Sequence, residues 1–123
     1  MIDKISLEKF DSQGMHKVYD IWPQIARESY FSNLVQVKYE ECNHIVFAGM
    51  GGSGAIGDIF SAILSKTNTH VTVVKGYYLP KTVTSDSVVI VSSISGNTIE
   101  TISMLNDAIK LKSKIIVFSD GGK

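Results

Sequence analysis

Phe47-Ala48-Gly49-Met50-Gly51-Gly52-Ser53-Gly54-Ala55-Ile56-Gly57-Asp58 joins an apolar run to a glycine-rich turn and then to an amphipathic helix pattern. Four glycines within six positions remove the Cβ atoms that would hold a ligand away from the backbone. Amides in such a turn, backed by the positive end of the following helix, form a ready anion site. The stretch therefore predicts a phosphate cradle after the first strand of an α/β domain.

Working outward, the apolar runs Ile45–Ala48, Val71–Val74, Val88–Val91 and Ile115–Phe118 alternate with helical stretches. Near-continuous β-branched runs indicate strands covered on both faces, as in a parallel sheet. Val71-Thr72-Val73-Val74 is the most mixed and suits an edge. Ile56, Ile59, Phe60, Ile63 and Leu64 predict a helix over about 54–66, and Ile99, Ile102, Leu105 and Ile109 another over about 98–111. Residues 76–86, with Pro80, read as an irregular connection. Upstream, Val18, Ile21, Trp22 and Ile25 follow helical spacing, interrupted by Pro23. Two helices are expected, about 12–21 and 23–38, with Pro23 in the first turn of the second. The expected organisation is N-terminal helices over 1–40 and an α/β domain over 41–123. Its fold is a doubly wound, flavodoxin-like parallel sheet of order 2-1-3-4. No helix pattern follows the fourth run to cover it, so the domain is expected to be truncated.

The third run opens into Ser92-Ser93-Ile94-Ser95-Gly96-Asn97-Thr98-Ile99-Glu100-Thr101. Hydroxyls and a glycine at the carboxyl end of a strand, just before a helix, again suit phosphate. In a 2-1-3-4 sheet, strands one and three are neighbours at the topological switch point, where ligands bind. The two loops would face each other across one crevice. Gly49, Gly51 and Gly54 also satisfy the dinucleotide pattern G-x-G-x-x-G, which wants a carboxylate about 20 residues on. Lys75-Gly76-Tyr77-Tyr78 stands there instead. A lysine suits a 2′-phosphate, so NADP is the alternative ligand. Bland roles are also open: the hydroxyls of Ser93, Ser95 and Thr98 as turn and cap groups, Asn97–Glu100 as a capping box, and Gly57 as a helix–sheet contact.

Length and composition narrow the classes. The chain has 123 residues, enough for one domain, and twelve basic residues balance twelve acidic ones. That balance argues against nucleic acid or an anionic membrane as the main partner. Cys42 is the only cysteine, so no internal disulfide forms and a reducing, cytoplasmic setting is expected. The longest apolar run is too short for a bilayer. His, Cys and Asp show no metal-ligand spacing, so neither metal nor other cofactor is expected.

Gly49-Met50-Gly51-Gly52-Ser53-Gly54 and Ser93-x-Ser95-Gly96-Asn97-Thr98-x-Glu100-Thr101 together resemble the sugar isomerase (SIS) family. Within it they look most like the bifunctional phosphoglucose/phosphomannose isomerases, including the closing Ser119-Asp120-Gly121-Gly122-Lys123. The resemblance implies sugar-phosphate binding within an isomerase of aldose and ketose phosphates, in carbohydrate metabolism, and a homodimer. By the same resemblance Ser53 and the amides of Gly51 and Gly52 meet substrate, while Ser93, Ser95, Gly96, Asn97 and Thr98 hold phosphate. Asp120 stands where a small hydroxyl residue is usual. Such enzymes carry two SIS subdomains and about twice this much chain. The resemblance places their glutamate base, ring-opening histidine and active-site arginine beyond residue 123, so no catalytic residue is expected here. A stand-alone sugar-phosphate module completed by dimerising is the competing expectation.

Overall fold

In the computed structural model, residues 3–39 and 42–122 are described. They form two compact units, Met1–Lys38 and Tyr39–Lys123.

The first unit holds α1 (Lys4–Phe10) and α2 (Met15–Phe31). Asp3 caps α1 by accepting from the Ser6 amide at 2.8 Å. Asp11 does the same for α2 from just outside it, accepting from the Met15 and His16 amides at 2.8 Å each. These caps move the helices from the expected 12–21 and 23–38. Pro23 lies inside α2 rather than in a first turn. Its fixed φ is helical, so the helix runs through it and forfeits one i−4 bond, at the Tyr19 carbonyl. Ser32 then takes an extended conformation and ends α2 seven residues short of the expected 38.

The second unit runs β1 (His44–Gly49), α3 (Gly51–Leu64), β2 (His70–Val74), β3 (Val88–Ser92), α4 (Ile99–Lys110) and β4 (Lys114–Phe118). Its sheet is parallel with order β2-β1-β3-β4, and the mixed run Val71–Val74 does lie at an edge. Side chains alternate across the pleat and each face takes one helix. Val46, Ala48, Val89 and Val91 face α4 and form the core with its Met104 and Ala108 and with Val83 from the irregular connection. Phe47 and Val73 lie on the other face, under α3, and Phe60 of α3 stacks on Phe47 at 5.3 Å.

α3 meets the sheet through glycine. A Cβ on Gly57 would come within 2.7 Å of Phe47 Cβ, and one on Gly54 within 2.6 Å of the Gly49 carbonyl. Its large residues, Ile56, Ile59, Phe60 and Ile63, lie 44–61% exposed on another side. Their helical spacing is real, yet the face they define is centred away from the sheet, and of the four Phe60, at its margin, stacks on Phe47.

Candidate functional site

β1 and β3 run side by side, with Gly49 in register with Ser92, so both candidate loops leave adjacent strands at the carboxyl edge. The crossovers diverge from this point, β1 leading through α3 to β2 and β3 through α4 to β4. That is the switch point of a doubly wound sheet.

The first loop is shorter than its glycines suggested, because the helix begins at Gly51 rather than near 54. Gly51 holds φ at 54°, where a side chain is strained, and an added Cβ on Gly51 or Gly52 would meet nothing within 4 Å. These two glycines line the open side. Gly49 and Gly54 are the packed ones: a Cβ on Gly49 would approach the Ser92 carbonyl at 2.9 Å and Ser53 at 3.2 Å. Met50, the N-cap, provides no side-chain bond, so the first amides of α3 keep their unmet donors. Ser53 is half-buried in that first turn.

In the second loop, Thr98 is the N-cap of α4 and likewise makes no side-chain cap bond. The capping-box expectation over Asn97–Glu100 is therefore overturned: the helix starts one residue later, with Glu100 in its first turn. Thr98 Oγ1 instead accepts from Ser93 Oγ at 3.1 Å. Ser93 is 8% exposed and lies behind Thr98, with its own amide donating to the Phe118 carbonyl at 3.0 Å. Ser95 and Asn97 are exposed, and the Asn97 amide donates to Ser95 Oγ at 3.3 Å. Both Thr98 and Ser95 thus receive a hydrogen bond on oxygen, which leaves each hydroxyl proton to point elsewhere.

A third strand end joins the corner. The Asp120 amide donates to the Ile94 carbonyl at 3.2 Å, and Gly96, at φ 66°, packs directly on Gly121 and Gly122. Beneath it a cleft of about 230 Å³ is lined by Val91, Ser93, Gly96, Thr101, Leu105 and Gly121, among others. Thr101 is 2% exposed, and its hydroxyl has no partner among the described residues. Sequence reasoning passed over Thr101, whose burial follows only from how α4 rolls onto the sheet.

Lys75 lies beside the first loop, its stem against Gly54 and its Nζ 2.5 Å from Asp58 Oδ2. Sequence reasoning treated these charges separately, because seventeen residues part them and no local pattern links them. The histidines are elsewhere. His44 and His70 pair at the amino ends of β1 and β2, with rings 4.8 Å apart. Burial, then the positive charge of His70, pushes the His44 pKa down. His16 is on α2, 2.6 Å from Asp11.

The SIS domain model matches residues 38–123. A bifunctional phosphoglucose/phosphomannose isomerase of Caldicellulosiruptor bescii is 38% identical over 112 residues, which are 90% of this chain and 31% of that protein. Proteins of the same description from Thermoplasma acidophilum and Aquifex aeolicus are 42% and 44% identical over 81 residues, 66% and 64% of this chain and 26% and 25% of theirs. The matched residues span about a quarter to a third of the length of these curated relatives. Sheet order, paired carboxyl-end loops and matched sequence agree: the chain belongs to the SIS domain family.

Proposed function

We propose that this chain binds the phosphate of a hexose phosphate and forms the N-terminal part of an aldose–ketose isomerase acting on glucose 6-phosphate, mannose 6-phosphate and fructose 6-phosphate. The observation that carries the reading is two helix N-termini without side-chain caps, α3 and α4, opening from adjacent strands at the switch point. Each such terminus presents unmet amides and about half a positive charge to an anion. In this reading Gly51 and Gly52 lend amides and Ser53 its hydroxyl. Ser95 and Thr98 donate hydroxyl protons from the other side, Asn97 and Gly96 shape the turn, and Ser93 stands behind Thr98 and polarises it.

Isomerisation through an enediol needs a base within hydrogen-bond reach of the transferred proton. Among the described residues no histidine lies at the carboxyl ends of the strands to open a sugar ring, the Asp58 carboxylate is engaged by Lys75, and the carboxylates left at that edge, Glu100 in the first turn of α4 and Asp120 after β4, have no such histidine to act with. The chain alone is therefore expected to bind without turnover. The same ion pair weighs against NADP, because it occupies the lysine that a 2′-phosphate would use.

Calorimetric titration of the chain with the three hexose phosphates and NADPH tests this reading. Binding of the sugars, weakened roughly 10- to 100-fold by Thr98→Val or Ser95→Ala, is expected from the loss of one charge-assisted hydrogen bond. Binding of NADPH alone, or isomerase turnover by the purified chain, would refute it.

A further inference from the structure

The amino ends of the strands hold a pair of imidazoles that sugar-phosphate binding does not use. His44 and His70 open β1 and β2 in register, with ring centroids 4.8 Å apart. They are distant in sequence, so no local ligand spacing announces them, and parallel strand pairing alone makes them neighbours. Their Nε2 atoms converge on one oxygen: His44 Nε2 lies 2.9 Å and His70 Nε2 3.3 Å from Thr72 Oγ1. Strand pleating puts the three side chains on one face, since Thr72 follows His70 by two residues in the strand paired with that of His44.

The ring of His44 is oriented from behind. Its Nδ1 lies 3.1 Å from Ser87 Oγ, and Ser87 is 1% exposed, its oxygen accepting from the Thr84 amide at 3.0 Å. When Nδ1–H donates to that oxygen, the lone pair of Nε2 is turned toward Thr72 and His70. Metal-ligating histidines are held in this way, one nitrogen on the cation and the other donating to a fixed outer partner.

We propose that His44 and His70 chelate one first-row divalent transition cation, such as Zn²⁺ or Ni²⁺, between their Nε2 atoms and so tie the amino ends of β1 and β2. Imidazole suits these ions, whereas Mg²⁺ and Ca²⁺ take oxygen. Metal–nitrogen bonds of about 2.0–2.1 Å need the two Nε2 atoms closer together than a shared hydroxyl does. His70 is exposed on an edge strand, so its ring turns inward over the remaining distance, and the Thr72 hydroxyl gives way by rotating about its Cα–Cβ bond. No third His, Cys, Asp or Glu joins the pair among the described residues, so water completes the coordination. Two imidazoles and water make an exchangeable site rather than a closed structural one, which has four protein ligands. It lies at the opposite end of the strands from the N-termini of α3 and α4, and it stands whether or not hexose phosphate binds there.

Calorimetric titration of the untagged chain with zinc chloride and nickel chloride near neutral pH, with magnesium chloride as the control, tests the proposal. One cation per chain is expected, with a Kd in the micromolar range and no binding of Mg²⁺. Outer partners alone are worth about 10- to 100-fold in metal affinity, so loss of a ligand in His70→Asn or His44→Asn should weaken binding at least about 10-fold. His16→Asn and Cys42→Ser should leave it unchanged. The imidazole carbon-bound proton NMR signals of His44 and His70, and not of His16, should shift on addition of Zn²⁺, which reads the site even if His44→Asn folds poorly. No binding below millimolar zinc, binding that either His70→Asn or His44→Asn leaves intact, or loss of binding in Cys42→Ser would overturn it.

Discussion

Gly96 and Thr101 carry opposite kinds of constraint within one corner. Gly96 sits at φ 66° with the Gly121 carbonyl where a Cβ would go, so two loops are pressed together at a point with room for hydrogen alone. Gly96→Ala must both strain the backbone and separate the loops. We expect a loss of about 2–3 kcal/mol in a urea melt, with binding of hexose phosphate weakened in parallel. Thr101 is the reverse case. Its buried hydroxyl finds no partner among the described residues, so Thr101→Val exchanges an unmet polar atom for a methyl of the same shape. The urea midpoint should rise, by about 1 kcal/mol of stability at constant slope. A fall would show that the hydroxyl is bonded in solution. Thr98 and Ser93 lie between these extremes, because one hydroxyl is aligned by the other.

At the scale of elements, packing of glycine and placement of caps decide more than periodicity does. The period of Ile56, Ile59, Phe60 and Ile63 correctly marks a helix, but spacing alone cannot say which side meets the sheet. Gly54 and Gly57 let α3 settle so close that the bulky residues are displaced sideways. In α2 the break expected at Pro23 does not occur, since the cost is one hydrogen bond in an exposed helix rather than a clash in a core. Pro23→Ala should restore that bond and stabilise α2 by up to about 3 kcal/mol, seen as greater far-UV helicity and a higher melting temperature. An unchanged helical signal would mean that the helix is already limited at its ends. The Asp11 cap is pH-sensitive. Amides and the side chain of His16, with the Met15 amide, draw its pKa down to about 2.

For the α/β unit as a whole, the two ends of the sheet have divided their work. The carboxyl ends keep helix amides without side-chain caps, while the amino ends are tied together. Ser87 Oγ accepts from the Thr84 amide at 3.0 Å and lies 3.1 Å from His44 Nδ1. His44 Nε2 lies 2.9 Å from Thr72 Oγ1, which is 3.3 Å from His70 Nε2. A neutral His44 satisfies this chain of bonds, and burial beside His70 disfavours its charged form. The unfolded chain, whose His44 keeps the ordinary value of 6.5, then binds more protons than the folded one near that pH. The contribution is full above about pH 6.5 and is lost as pH falls through the lowered folded value. Melting temperature should decline from pH 7.5 to 5, and His44→Asn should flatten that slope. The decline due to Asp11 belongs to a separate window below about pH 4.

Much of this was legible in one dimension. Four β-branched runs, their spacing and two carboxyl-end loops sufficed for a parallel 2-1-3-4 sheet with both loops at its switch point, because strand pleating and short crossovers follow from local pattern. That Gly51, Gly52, Ser53, Ser95, Asn97 and Thr98 follow the ends of β1 and β3 was legible for the same reason, both loops leaving strands whose ends the pattern marks. Tertiary structure alone decided that Ser93 stands behind Thr98, that Lys75 is held by Asp58, that Thr101 is buried without a partner and that α3 turns its large residues outward. Those outcomes depend on which faces approach and how closely. Such distances between residues far apart in sequence come from packing, and no periodicity encodes them.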